Sequence, residues 1–245
     1  MIASLGMYDL GPLQAANDRF WDLIRRNLGH GPARLTRDRD LWEIWQDDAL
    51  LLAQTCGLPY RARLKDRVKL VGTPDHGLPG CAPGHYNSVM VARAEDVRSD
   101  LAAFDGAPFA LNEALSQSGW AAPHAHMSAR GLRIGPRLAT GAHAASALAV
   151  AEGRADLAAI DALTWVLLEE HRPDLTGALR VIERTAPTPA LPYVTGPAGD
   201  PAALAQAIAA AIAGLDPATR DALHLRGLVA IPKAAYLAQP IPPAP

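Results

Sequence analysis

Two short polar segments of the sequence have the residue types and the spacing needed to bind an anion. The first is SQSG, with Ser116 and Ser118, and the second is TGAH, with Thr140 and His143; each precedes a predicted helix. The first turn of a helix carries backbone N–H groups without partners, and the helix dipole favours negative charge there. These four side chains therefore predict an oxyanion site, although Ser116 and His143 could instead simply cap their own loops.

A carboxylate and two tyrosines are further candidates for ligand contacts. Asp161 follows the apolar run 157–160, so it could accept a ligand proton, bind an ammonium group or cap the next helix. Tyr8 ends the first predicted strand and Tyr86 precedes another, and both could supply hydroxyl donors, although a single tyrosine is more typical of packing. Ser146 lies one turn into the helix that begins at His143, and we predict that it supports this turn.

The predicted charge of His143 determines how binding should respond to pH. An unperturbed histidine titrates near pH 6.5, and a hydrogen bond to a charged group contributes roughly 1.5–3 kcal/mol. The sequence therefore predicts a protonated His143 donor and anion binding that weakens as the pH rises past about 7.

The common enzyme motifs are absent from the sequence. It contains no G-x-S-x-G, no phosphate-binding loop of the G-x-x-x-x-G-K-[ST] type, no G-x-G-x-x-G and no H-E-x-x-H. His124 and His126 have no cysteine or carboxylate at metal-ligand spacing, so we predict neither a metal nor a cofactor. Ser116 or Ser118 with His143 and Asp161 has the composition of a nucleophile triad, whose geometry the sequence does not define.

The composition excludes several classes of protein. The 245 residues are 49% hydrophobic and 5% aromatic with a net charge of -2, which argues against nucleic-acid binding. No run of eighteen apolar residues is present, so we predict no membrane insertion. The N-terminus lacks a basic segment followed by an apolar run, which predicts a cytoplasmic protein as given, or a periplasmic one if the precursor is longer. Whether Cys56 and Cys81 form a disulfide is left open, as is the oligomeric state.

Strand-like and helix-like segments alternate along the chain, which predicts an α/β fold with mostly parallel strands. Gly29 and Gly153 are placed to end two of the helices. The predicted strands cover residues 1–7, 50–53, 68–72, 88–93, 108–111, 132–135, 157–160 and 179–183. The predicted helices cover residues 12–28, 96–104, 143–152, 162–170, 201–214 and 217–223, with another after SQSG.

Two segments are candidates for crossings between lobes. They are HYNSVMVAR and the proline-rich TAPTPALPYVTGPAGDP, in which proline favours an extended backbone. We therefore predict a discontinuous first lobe of residues 1–87 and 190–245 and a second lobe of residues 88–189. Two crossings would form a hinge, and a hinged cleft is a ligand site.

Three segments in this order, SQSGW, TGAHAASALAVAEGRADLAAID and TPALPYVT, resemble the phosphate/phosphite/phosphonate substrate-binding proteins of ABC importers. The resemblance covers most of the chain and implies a two-lobed type II periplasmic-binding-protein fold and an ABC permease as partner. It also implies that Ser116, Gln117 and Ser118 hold ligand oxygens and that His143 is an oxyanion donor. Tyr8 and Tyr86 would contribute from the other lobe, with Asp161 near the far side of the ligand. The sequence departs from the family pattern at Ala142, where a hydroxyl residue is common.

These observations predict a solute-binding protein that closes on a small oxyanion, a phosphonate or a phosphate-like compound. The alternative is a cytoplasmic enzyme of cofactor biosynthesis on the same fold, by analogy of fold alone. A third reading is a partner protein with a vestigial cleft.

Overall fold

The chain passes twice between two structural units before its C-terminal segment passes once more. The computed structural model describes residues 1–245, and its first unit comprises Met1–His85 and Pro189–Ala238. The second unit comprises Tyr86–Thr188 and Gln239–Pro245. The last seven residues therefore differ from the prediction, which placed them with the first lobe. They pack on the second unit, where Trp120 Nε1 donates a hydrogen bond of 2.9 Å to the carbonyl of Pro243.

The first segment of the chain builds the first part of unit 1. Helix α1 ends where predicted, because Gly29 adopts a left-handed φ of 82° and donates to the carbonyl of Arg25. Helix α2 begins after Asp40, whose side chain accepts from two backbone N–H groups. The elements are β1 (Ile2–Ser4), α1 (Gln14–Leu28), α2 (Leu41–Trp45), β2 (Leu50–Gln54), α3 (Gly57–Pro59), continued by a π-helical turn (Tyr60–Leu64), and β3 (Lys69–Asp75).

The middle of the chain builds unit 2. Its strands and helices are β4 (His85–Tyr86), β5 (Ser88–Arg93), β6 (Phe109–Leu111), α4 (Ala122–Ser128), β7 (Arg137–Ala139), α5 (His143–Ala151), β8 (Leu157–Asp161), α6 (Ala162–His171), α7 (Pro173–Gly177) and β9 (Leu179–Arg184). The returning segment then adds β10 (Thr188–Pro189), β11 (Tyr193–Thr195), α8 (Pro201–Gly214), α9 (Pro217–Ala222), β12 (Gly227–Val229) and α10 (Lys233–Leu237). Strands β4 and β10 pair with each other.

Unit 1 contains a mixed five-stranded sheet in the order β1-β2-β11-β3-β12. Strands β1, β2 and β3 run in the same direction, because β1 is parallel to β2 and β11 is antiparallel to both β2 and β3. Helices α1 and α8 pack against each other. Cys56 and Cys81, both in this unit, are not joined by a disulfide.

Unit 2 contains a second mixed sheet, in the order β7-β6-β8-β5-β9. Strands β6, β7 and β8 are parallel, whereas β5 runs antiparallel to both of its neighbours. All five residues of β8 are buried, as expected for an inner strand of this sheet. Because β6, β7 and β8 are parallel, their carboxyl ends meet at one edge of this sheet. No helix of the protein is long and apolar enough to cross a membrane.

Two predicted elements were wrong. The predicted helix at 96–104 contains only a short 3-10 turn, Leu101–Phe104, capped by Asp100. The predicted strand at 132–135 is not a strand, and the strand that pairs with β6 is Arg137–Ala139. The segment 132–135 instead lies alongside residues 105–108. Gly106 N–H donates to the carbonyl of Arg133, and Gly135 N–H donates to the carbonyl of Ala107.

Replacing Gly135 by alanine is expected to destabilise unit 2. An added Cβ would lie 2.1 Å from the carbonyl oxygen of Gly106 and 2.6 Å from that of Ala107, and backbone cannot move aside as a side-chain end can. We expect Gly135→Ala to lower the free energy of unfolding by about 2 kcal/mol in urea denaturation. Gly214→Ala is the control, since its added Cβ would meet nothing within 4 Å. Equal stability of the two variants would contradict this close approach.

Candidate functional site

The segment Ser116–Ala121 forms a tight turn just beyond the carboxyl end of β6. The Ser116 side chain accepts from Gly119 N–H at 2.9 Å, and its carbonyl accepts from Ala121 N–H at 3.0 Å, which makes the turn π-helical. Ser116, Gln117 and Ser118 are all buried. Gln117 also borders a cavity of about 260 Å³ next to α4. The expectation that Ser116 caps this turn is confirmed.

Asn112 connects the two polar segments, a role that the sequence prediction missed. Its carbonyl accepts from Gly141 N–H at 2.8 Å, so it holds the loop before α5 against the loop after β6. A Cβ on Gly119 would lie only 1.9 Å from Asn112 Oδ1, so a glycine is needed where this side chain crosses the turn. The only signal for this role in the sequence is that an amide residue, Asn112, directly follows strand β6.

Ser118 and His143 meet through their side chains. Ser118 Oγ lies 2.9 Å from His143 Nε2, although the two residues are 25 positions apart. His143 is the first residue of α5, and the preceding Ala142 has no side chain that could cap this helix. The N-terminal N–H groups of α5 are therefore not capped by a side chain, and the side chain of the first residue of this helix contacts a serine hydroxyl.

The predicted positive charge on His143 is wrong for the ligand-free protein. Burial lowers the pKa of His143 to about 4, and a hydrogen bond with the backbone of Ala159 offsets only part of this effect. A histidine with this pKa is neutral between pH 6 and 8. The sequence could not indicate this shift, because the desolvation comes from residues distant in the chain.

Thr140 and Ser146 stabilise the loop in front of α5. Their hydroxyl oxygens are 2.7 Å apart, and Thr140 Oγ1 also donates to the carbonyl of Leu111 at 3.2 Å. Ser146 is fully buried. The prediction that Ser146 supports this turn is confirmed, whereas the predicted ligand contact of Thr140 stays a prediction.

Asp161 ends β8 and caps α6. Its Oδ1 accepts from Leu163 N–H at 2.9 Å and from Thr164 N–H at 3.0 Å, which confirms the capping alternative. A nucleophile triad requires a carboxylate that orients and charges the imidazole. The causes of the His143 pKa shift are burial and the Ala159 backbone, and no carboxylate contributes. Asp161 therefore acts as a helix cap and is not among the groups that shift the pKa of His143.

The two predicted tyrosines lie in different units. Tyr8 ends a 3-10 turn, Gly6–Tyr8, in unit 1, and its ring contacts His76 edge to face with centroids 5.7 Å apart. Tyr86 is buried in β4 and belongs to unit 2, although the prediction assigned it to the first lobe. The structure thus brings the two serines and the histidine together within unit 2. His76, which the prediction missed, lies beside Tyr8.

A protein-family model matches residues 45–236, most of the chain. Its description is the periplasmic substrate-binding protein of an ABC transporter for phosphonate. No protein of curated function shows significant sequence similarity to the chain.

Several solved structures have the same fold at low sequence identity. PhnD1 from Prochlorococcus marinus, in complex with methylphosphonate, is 15% identical with a TM-score of 0.75, over 96% of this chain and 93% of that chain. A binding protein component of an ABC phosphonate transporter from Pseudomonas aeruginosa is 16% identical with a TM-score of 0.71, over 96% and 82%. XAC2383 from Xanthomonas citri, bound to chloride, is 15% identical with a TM-score of 0.71, over 96% and 92%. These similarities confirm the predicted fold, that of two-lobed periplasmic binding proteins.

Proposed function

The chain belongs to the family of phosphonate-binding periplasmic substrate-binding proteins of ABC transporters, and on that basis we propose that it binds a small phosphorus oxyanion, a phosphonate or a phosphate-like compound. In this proposal the ligand oxygens are held by the start of α5 and by the polar side chains beside it. Ser118 and His143 are the central residues, with Gln117 and Thr140 nearby.

The observation that carries this assignment is a difference between three helical turns of unit 2. Asp161 caps α6 with its carboxylate, and Ser116 accepts from Gly119 N–H in the turn that leads into α4. Helix α5, preceded by Ala142, begins without a side-chain cap, as the short helix α7 also does, and at the start of α5 the Ser118 hydroxyl lies against the His143 ring. A tetrahedral oxyanion placed at that start would accept from backbone N–H groups and from a serine hydroxyl.

His143 is proposed to position Ser118 rather than to carry a permanent charge. Its neutral ring matches the lowered pKa, and the 2.9 Å contact fixes the serine rotamer. Because a preorganised hydroxyl loses little entropy on binding, this contact should contribute to affinity without a salt bridge.

The enzyme alternative has less support. The matching family consists of transporter binding proteins, not enzymes. Ser118 and His143 also lack a carboxylate that would complete a nucleophile triad. We propose that the protein does not turn over its ligand, and unchanged methylphosphonate after prolonged incubation, followed by phosphorus NMR, would agree.

The partner and the site of action follow from the same family. A substrate-binding protein of an ABC transporter delivers its small-molecule ligand to a permease. We propose that this chain acts in the periplasm and docks on such a permease, and that ligand binding closes its two lobes.

A thermal-shift panel tests the proposed ligand class. The panel contains phosphate, phosphite, methylphosphonate, 2-aminoethylphosphonate, sulfate and acetate. A ligand at about 100 times its dissociation constant stabilises the folded state by about 2.7 kcal/mol, which should raise Tm by roughly 5–10 °C for a chain of this length. We expect such a shift with at least one phosphorus oxyanion. A shift with acetate and with none of the phosphorus compounds would contradict the proposal.

A further inference from the structure

The C-terminal segment Gln239–Pro245 belongs to unit 2 and lies against helix α4 and the turn before it. Its first two residues line the cavity of about 260 Å³ that also borders Gln117. Pro243 and Ala244 line a second cavity, of about 310 Å³, beside Trp120. Different residues of α4 line the two cavities, so the segment crosses this helix from one face to another.

A hydrogen bond from a tryptophan holds the segment in place. Trp120 Nε1 donates to the carbonyl of Pro243 at 2.9 Å, and the Trp120 ring lies beside that of His124 with centroids 5.3 Å apart. Four of the last six residues are prolines, which favour an extended backbone without internal hydrogen bonds. The carbonyls of such a backbone must find partners outside it, and an aromatic surface with an N–H donor is suited to this.

Trp120 connects this segment to the proposed ligand site. It lies in the π-helical turn described above, where its backbone N–H donates to the carbonyl of Ser116 at 3.3 Å. Ser118 lies two residues before it in the same turn. The turn has little room to move, because the Asn112 side chain leaves no space even for a methyl group on Gly119. A displacement of Trp120 would therefore be passed on to Ser118.

Resting on the proposed function, we propose that the docked C-terminal segment holds Ser118 in position for the oxyanion, with Trp120 as the positioning residue. Segment docking and ligand binding then favour each other, because a turn that the segment already holds needs less ordering when the ligand binds. Such coupling is reciprocal, so the ligand must strengthen docking by the factor by which docking raises affinity. We expect a factor of about 3 to 10, which is the range of one neutral hydrogen bond.

Trp120→Phe keeps an aromatic ring and removes the N–H donor. We expect this variant of the full chain to bind methylphosphonate, or inorganic phosphate if that raises Tm more, about 3- to 10-fold more weakly in calorimetry. Trp21→Phe is the matched control, because Trp21 Nε1 donates to the carbonyl of Pro32 at 3.0 Å in unit 1. The control should bind as the wild type does.

A second variant loosens the segment without changing the turn or α4. The triple variant P240G, P242G, P243G replaces three of the four prolines by glycine, which makes the undocked segment more flexible and its docking less favourable. It should weaken binding of the same anion to a similar degree. Adding Trp120→Phe to it should cause little further loss, because both changes release the same segment.

Hydrogen exchange of the indole N–H groups in the wild-type protein separates coupling from a merely structural role. A saturating concentration of the anion should slow exchange at Trp120 about 3- to 10-fold and leave exchange at Trp21 unchanged. Full affinity in the triple variant, no slowing at Trp120, or equal slowing at both indoles would overturn the coupling and leave the proposed function intact. If the wild type binds no phosphorus oxyanion, the proposed function fails and the coupling fails with it.

Discussion

Two partly buried histidines are expected to make the protein sensitive to mild acid. His76 and His143 each have a pKa lowered to about 4 in the folded protein by burial, against 6.5 for an ordinary histidine. Each should therefore cost the folded state on the order of 3 kcal/mol of stability by the time the pH reaches about 4. Solvent screening at these partly buried rings reduces the effect, yet even about 2 kcal/mol is a large fraction of the stability of a typical protein.

The direction in which stability changes with pH follows from whether the folded or the unfolded chain binds the proton more readily. Above pH 6.5 both histidines are neutral in the folded and the unfolded chain, so they make no difference to stability. As the pH falls from 6.5 towards 4, the unfolded chain binds protons that the folded protein excludes, and the equilibrium shifts to the unfolded chain. Below the folded pKa both states are protonated and the loss stops growing. Most carboxylates titrate at lower pH, so the change in stability between pH 6.5 and about 5 comes chiefly from histidine.

Urea unfolding at pH 7 and at pH 5 measures the effect. The double variant His76→Gln, His143→Gln should lose much less stability between these two values than the wild type does. A variant of the exposed His30 to glutamine should behave like the wild type. A free energy of unfolding that is unchanged between pH 7 and pH 5 in the wild type would show that the two rings are not desolvated.

Removing either partner of the Ser118–His143 contact is expected to weaken oxyanion binding strongly. Ser118 has a single hydroxyl hydrogen, and on binding it is proposed to turn from His143 Nε2 to a charged ligand oxygen; hydrogen bonds to charged groups contribute roughly 1.5–3 kcal/mol. Ser118→Ala should therefore reduce the affinity for the best phosphorus oxyanion about 10- to 150-fold. His143→Ala should have a similar effect, because the serine then loses the contact at 2.9 Å that orients it.

The double variant distinguishes a coupled pair from two separate contacts. If His143 acts through Ser118, the affinity of Ser118→Ala, His143→Ala should be close to that of either single variant. Additive losses in calorimetry would mean that each side chain contacts the ligand on its own. Ser128→Ala is the control, since this exposed serine ends α4. Single variants that bind as tightly as the control would remove the pair from the site.

The sequence alone predicted those features that depend on neighbours within a few residues. The helix at Pro201–Gly214 has a proline at its start and an aspartate cap, and its bounds match the prediction. The buried run Leu157–Asp161 is a strand followed by a helix that its own aspartate caps. Caps, prolines and apolar runs act over three or four positions, so the local sequence is sufficient for them.

Where the predicted secondary structure is wrong, the observed structure is determined by contacts between residues that are far apart in the sequence. In the segment 96–104, which was predicted to be helical, Asp96 forms ion pairs with Arg93 and Arg98. The strand predicted at residues 132–135 forms instead at Arg137–Ala139. These three residues pair in parallel with the three residues of β6. Strand pairing and ion pairs depend on residues that the fold brings together, which local propensity does not describe.

The chemistry of the site shows the same division. The residue types in SQSG and TGAH were sufficient to predict an anion site and to suggest its family. Only the tertiary structure decided that His143 is neutral and hydrogen-bonded to Ser118, that Asn112 joins the two loops, and that the His76 ring packs against Tyr8. Protonation and tautomer depend on desolvation and on hydrogen-bond partners, and both are supplied by distant parts of the chain once it has folded.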